Sequence, residues 1–129
     1  MTSNQIGDKL EHTAKEILER EGYIVHRAIR SYIKPKGGKP FMRSNDVFGC
    51  FDLVALSSHK NPRFIQITTA TNFSTKRKKI DKKFPVSIYG CVVEVWAWHK
   101  GRGKMYFATS VRDGVEWVKG KDIYQRNGR

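Results

Sequence analysis

Leu10, Ala14, Ile17 and Leu18 recur at helical spacing, so residues 4–21 carry one apolar face and are predicted to form an amphipathic helix, with Ser3 or Asn4 as N-cap and Gly22 as the stop. After Gly22 the period changes. Residues 23–30 have strand composition, and residues 34–40, with two prolines and two glycines, are predicted to be a flexible basic loop. Residues 51–56 read as a short apolar strand interrupted by one acid, Asp52. Residues 57–62 turn the chain into a second strand at 63–69, which predicts a hairpin. Ser74 or Thr75 is placed to cap a basic helix reaching about Phe84, where Pro85 ends it. Strands follow at 91–98 and 104–109 around Gly101-Arg102-Gly103, and the tail from Lys119 reads as loose. The order α, β, β, β, α, β, β predicts an α/β fold, a mixed sheet flanked by two helices, in one domain over residues 1–129 with no repeat or linker.

Charge adds a partner to this picture. The 129 residues include 25 Lys and Arg against 12 Asp and Glu, a net charge of +13, while 39% hydrophobic and 12% aromatic residues are enough for a core. Asp8, Glu11, Glu16, Glu19 and Glu21 fall in the first 21 residues, so the rest of the chain is more basic still. Arg27, Arg30, Lys34, Lys36, Lys39 and Arg43 form a run without an acid, and Lys76, Arg77, Lys78, Lys79, Lys82 and Lys83 surround only Asp81. Such an excess points to a polyanion, and DNA contact is expected from both clusters. A membrane surface is not expected: the second cluster has only Phe73, Ile80 and Phe84 as bulky apolar partners, and no apolar stretch approaches 18 residues. Cys50 and Cys91 are too few for a disulfide scaffold or a four-ligand zinc site. His12, His26, His59 and His99 show no ligand spacing, so a reducing, cytoplasmic setting without zinc is expected.

The candidate chemistry starts at Asp52, because a carboxylate in an apolar strand is costly unless it finds a partner, a metal or a strand-end position. On the next strand Gln66 and Thr68 share one face, and the hairpin brings Asp52 and Gln66 toward one end of the sheet. Divalent-metal phosphodiesterases use such an arrangement, since Mg²⁺ (or Mn²⁺) takes hard oxygen ligands and keeps waters that become nucleophiles.

At these residues the chain resembles the PD-(D/E)xK restriction-endonuclease-like nucleases, and among them the small archaeal-type Holliday junction resolvases of DNA recombination and repair. There a helical Glu precedes a Gly-aromatic step into the first strand, an Asp opens an apolar strand, and the following strand carries E-x-K. Here Glu11, ahead of Gly22-Tyr23-Ile24-Val25, resembles the helical Glu. Asp52 in Asp52-Leu53-Val54-Ala55-Leu56 resembles the metal-binding Asp, and Gln66-Ile67-Thr68 falls at E-x-K. The resemblance covers roughly residues 7–83 and implies an αβββαβ core, Mg²⁺ held by Glu11, Asp52 and Gln66, and cleavage of branched or duplex DNA. Two symmetric cuts would need a homodimer, for which Val92, Val93 and Val95 with Trp96 and Trp98 offer an interface. The two tryptophans are otherwise core.

Two departures bear on activity. Gln for Glu leaves a neutral amide oxygen, and Thr for Lys removes a cation, for which Lys76 is the first substitute and Arg43 the second. Asp46 is either a further metal ligand or ordinary turn chemistry in Ser44-Asn45-Asp46, and Glu11 is either a ligand or one of several solvated acids. The alternative to an enzyme is a noncatalytic nucleic-acid-binding protein that keeps the nuclease fold.

Overall fold

Helix α1 (Ser3–Arg20) turns Leu10, Ala14 and Leu18 inward, as their spacing requires. It stops where Gly22 adopts φ +96°, a conformation open to glycine: Tyr23 N–H donates to Leu18 O at 3.1 Å and Gly22 N–H to Glu19 O at 3.0 Å, which closes the last turn. The computed structural model describes residues 3–43, 45–101 and 103–124. The helix already includes Ser3, so a cap before it lies outside the described residues.

Strand β1 (Ile24–Arg27) is shorter than the predicted 23–30: its regular pairing ends at Arg27, and Ala28 N–H makes one more bond in the same register, to Asp52 O at 2.8 Å. Strands β2 (Ser31–Ile33) and β3 (Phe41–Arg43) then pair only with each other, so the basic 34–40 loop is the tip of a small hairpin. Strand β4 (Leu53–Leu56) pairs antiparallel with both β1 and strand β5 (Arg63–Thr69), as the predicted hairpin requires. A 3-10 turn (Ala70–Asn72) leads into helix α2 (Phe73–Lys83). Asn72 is its N-cap residue, without a side-chain cap bond, and Ser74 and Thr75 lie inside the helix. Strand β6 (Val92–Gly101) runs parallel to β5, so α2 is the crossover between them.

Strand β7 (Lys104–Asp113) pairs antiparallel with β6, then with β8 (Glu116–Lys119) and β9 (Ile123–Tyr124). The tail expected to be loose from Lys119 instead returns to the sheet at Ile123–Tyr124, and residues 125–129 lie outside the described residues. The result is a mixed α/β fold around a seven-stranded sheet in the order β1-β4-β5-β6-β7-β8, with β9 on β7.

Side-chain alternation divides the core between the two faces. Leu53, Ala55, Ile65, Ile67, Trp96 and Phe107 pack under α1, whereas Val93 and Val95 pack with Cys50, Phe51 and Ile80 of α2. The helices thus cover opposite faces. Strand β6 is buried on both, which overturns the expected dimer interface: Val93, Val95 and Trp96 are interior, and Trp98 packs against the same cluster. Each fully buried Leu, Ile or Phe side chain contributes roughly 1.5–3 kcal/mol.

Candidate active site

Where α1, the start of β4, the end of β5 and the first turn of α2 meet, a cleft of about 320 Å³ opens. Its lining includes Glu11, Asp46, Asp52, Gln66, Thr68 and Lys76, every candidate catalytic or metal-binding residue of the sequence except the second-choice cation Arg43, together with Arg30. Glu11 is 5% exposed, Asp52 5% and Gln66 3%, so two carboxylates and an amide are held away from bulk water on a strongly basic chain.

Asp52 owes its position to the end of a ladder. Regular β4–β5 pairing reaches Leu53 opposite Ile65, and beyond it Asp52 N–H donates to Ile65 O at 2.9 Å. The N–H of Ile67 then falls to the Asp52 side chain, donating to Oδ2 at 2.8 Å, and Gln66 Nε2 donates to the same oxygen at 2.8 Å. Gln66 Nε2 also donates to Ile67 O at 3.2 Å, while its Oε1 is buried without a hydrogen-bond partner. The amide orientation follows from Asp52, since turning it would set oxygen against carboxylate oxygen. Burial pushes Asp52 up to about 7, and the charge of Glu11 adds to the rise. The Ile67 N–H lowers it, Asp46 raises it and Lys76 lowers it, each by less.

Glu11 is tied to the basic run by contacts that no local sequence pattern shows. Arg27 Nε donates to its Oε1 at 3.2 Å, and Arg30 Nη2 lies 3.8 Å from Oε2. Both guanidiniums also reach Asp8 Oδ1, at 2.9 and 3.0 Å. Burial raises the Glu11 carboxyl pKa in spite of the two arginines, with Asp8 adding to the rise. The Asp8 contribution had one sequence signal, its i, i+3 spacing from Glu11 on one helix face.

The other expected residues divide by surroundings. Asp46 lines the cleft, and its carbonyl accepts from Gly49 N–H at 2.9 Å in a turn where Phe48 has φ 55°. Lys76 is half-buried at the cleft, whereas Arg43 lies on the β2–β3 hairpin and is absent from the lining. Lys34, Lys36, Lys39, Lys78 and Lys79 are exposed; Arg77 stacks over the Phe73 ring, 4.6 Å from its centroid. Arg27 and Arg30, expected on DNA, are engaged by Asp8 and Glu11. Burial pushes the pKa of both cysteine thiols up.

Among the described residues no three His, Cys, Asp or Glu side chains group so as to hold an ion. The oxygens that fit are two buried carboxylates and the orphaned amide oxygen of Gln66, hard donors suited to Mg²⁺ or Mn²⁺. No protein-family model, no curated protein and no solved structure matches the chain.

Proposed function

We propose that this chain is a metal-dependent DNA endonuclease, resolvase-like, with α1, β1, β4, β5, α2 and β6 as a restriction-endonuclease-like core. One observation carries the reading: Glu11, Asp52, Gln66 and Lys76, distant in sequence, line one cleft between basic surfaces. Glu11, Asp52 and Gln66 Oε1 would hold the ion, with Asp46 at its edge. Bound there, Mg²⁺ or Mn²⁺ supplies Lewis acidity and a water of lowered pKa. The chain's own residues do the rest. Ile67 N–H and Gln66 Nε2 orient Asp52, and Lys76 sets a positive charge where phosphate charge develops, in place of the cation that Thr68 lacks. Lys34, Lys36 and Lys39 on the hairpin, with Lys78 and Lys79 on α2, offer ammonium groups to backbone phosphates.

A noncatalytic DNA-binding role has its own supporting observation. Gln66 Nε2 already occupies Asp52 Oδ2, and Arg27 and Arg30 already neutralise Glu11, so both carboxylates have partners within the chain. Calorimetric titration with Mn²⁺ separates the two. The enzyme reading expects binding that strengthens as pH rises through about 7, where Asp52 loses its proton, and that disappears in Asp52→Asn. No Mn²⁺ uptake at pH 8, in protein that still binds DNA, leaves the binding role alone.

A further inference from the structure

The β2–β3 hairpin carries a second chemistry besides its charge. Its register sets Tyr32 directly opposite Met42, so both side chains stand on one face, and they are 65% and 51% exposed. Two three-residue strands with no third strand are marginal by themselves, yet this pair holds large apolar side chains in water. Its base is tied down by Asn45 Nδ2, which donates to Ile29 O at 2.7 Å and Ser31 Oγ at 2.6 Å. Met42 also lines a cavity of about 370 Å³ with Arg27, Arg30, Asp8, Glu11 and Asp46, which places this face of the hairpin beside the cleft.

An arm that only tracked phosphates would need no exposed ring, and an arm that docked a second copy would bring two acid-free basic runs together. An aromatic face beside lysines matches a different ligand, a base with an open π-face flanked by phosphates. In a continuous duplex both faces of every base are covered by neighbours, and the faces open only where pairing or stacking is interrupted.

We propose that the β2–β3 hairpin is a base-stacking arm, in which Tyr32, backed by Met42, lies on an unpaired base of DNA while Lys34, Lys36, Lys39 and Arg43 hold the adjoining phosphates. The proposal rests on the DNA-binding part of the function proposed above and adds the kind of DNA bound. The arm selects a structural discontinuity near the cleft, and the cleft acts on the phosphate backbone beside it.

The test compares two DNAs of equal length by fluorescence anisotropy at one salt concentration: an intact duplex, and the same duplex with a single extra 2-aminopurine left unpaired. Stacking of one base is worth about 1–3 kcal/mol, so the wild type should prefer the second DNA by about 5- to 150-fold. Tyr32→Ala should erase that preference and leave duplex affinity unchanged, Tyr32→Phe should keep it, and 2-aminopurine fluorescence should be quenched by wild type alone of the wild type and Tyr32→Ala. Because Tyr32 is exposed, the melting temperature of Tyr32→Ala should match wild type. Equal affinity of the wild type for the two DNAs, or a preference that survives Tyr32→Ala, overturns the arm while leaving DNA binding in place. A dimer lost in Tyr32→Ala by sedimentation also overturns it, by giving the face to a second copy. Failure to bind either DNA at low salt removes the DNA reading itself.

Discussion

Asp52 and Gln66 are the residues on which the proposed chemistry turns, and the burial of Asp52 makes a testable statement about pH. In the fold Asp52 titrates near 7, above its ordinary value of 3.8, so between those limits the folded state holds a proton that the unfolded chain has lost. The contribution of Asp52 to stability therefore falls as pH rises from about 4 to about 7 and is level above that. Asp52→Asn removes the slope: urea melts should find the variant more stable than wild type by about 1–3 kcal/mol at pH 8, with the difference closing toward pH 4. An unchanged slope would mean that the carboxyl is not held protonated. Gln66→Glu with Thr68→Lys supplies a charged ligand and the missing cation on one strand face. It should tighten Mn²⁺ binding in calorimetry and speed cleavage by about ten- to a thousandfold; slower cleavage instead would show the new lysine crowding Lys76. The approach of Asp52 to Gln66 was readable from the sequence because a hairpin and period two fix it. The arginine clamp on Glu11 was not, since Arg27 lies sixteen positions away and the intervening helix stop and strand entry decide whether the two meet.

Among the elements, helix α2 and strand β6 carry separate expectations. Lys76 is the α2 residue at the cleft, whereas Lys78 and Lys79 are exposed. Lys76→Ala should thus lower cleavage about 10²- to 10³-fold with little change in DNA affinity, and Lys78→Ala with Lys79→Ala should weaken binding with the rate at saturation preserved. The reverse pattern in a rate-against-binding comparison would move the cation elsewhere. Strand β6 has Trp96 fully buried against Phe107, 5.5 Å between ring centroids, so Trp96→Ala should cost about 3–5 kcal/mol in denaturant melts. An apolar run such as 92–98 reads alike as a doubly covered central strand or as an interface. The packing of α1 against one face of β6 and α2 against the other decides for the former. The long α1, β5 and β6 were legible because their patterns persist over whole turns or several alternations. Strands β2, β3, β8 and β9 were not, being two to four residues long and taking their pairing from the turns that join them.

For the whole molecule, the charge distribution and the fold describe one surface. The seven-stranded sheet sets α2 and the hairpin apart in sequence, with the cleft lined by residues from both basic runs, Arg30 from one and Lys76 from the other. If six to ten of the basic side chains contact phosphates, DNA affinity should fall by about 10³ to 10⁵ between 50 and 200 mM salt, measured by anisotropy; a flat response would remove the polyanion from the account. The composition alone points to such a partner, whereas the cleft proposed to act on it becomes visible only in the fold. No described helix is long and apolar enough to cross a membrane. The central claim, that this cleft hydrolyses DNA, is tested most directly by single-turnover cleavage of end-labelled DNA carrying an unpaired base, with Mn²⁺ or Mg²⁺ and with chelator. The account predicts cuts by the wild type that require the metal and vanish in Asp52→Asn, whose DNA affinity is unchanged or slightly higher because one negative charge has gone. No metal-dependent cutting by the wild type or by Gln66→Glu with Thr68→Lys, from protein that binds the same DNA, would contradict it.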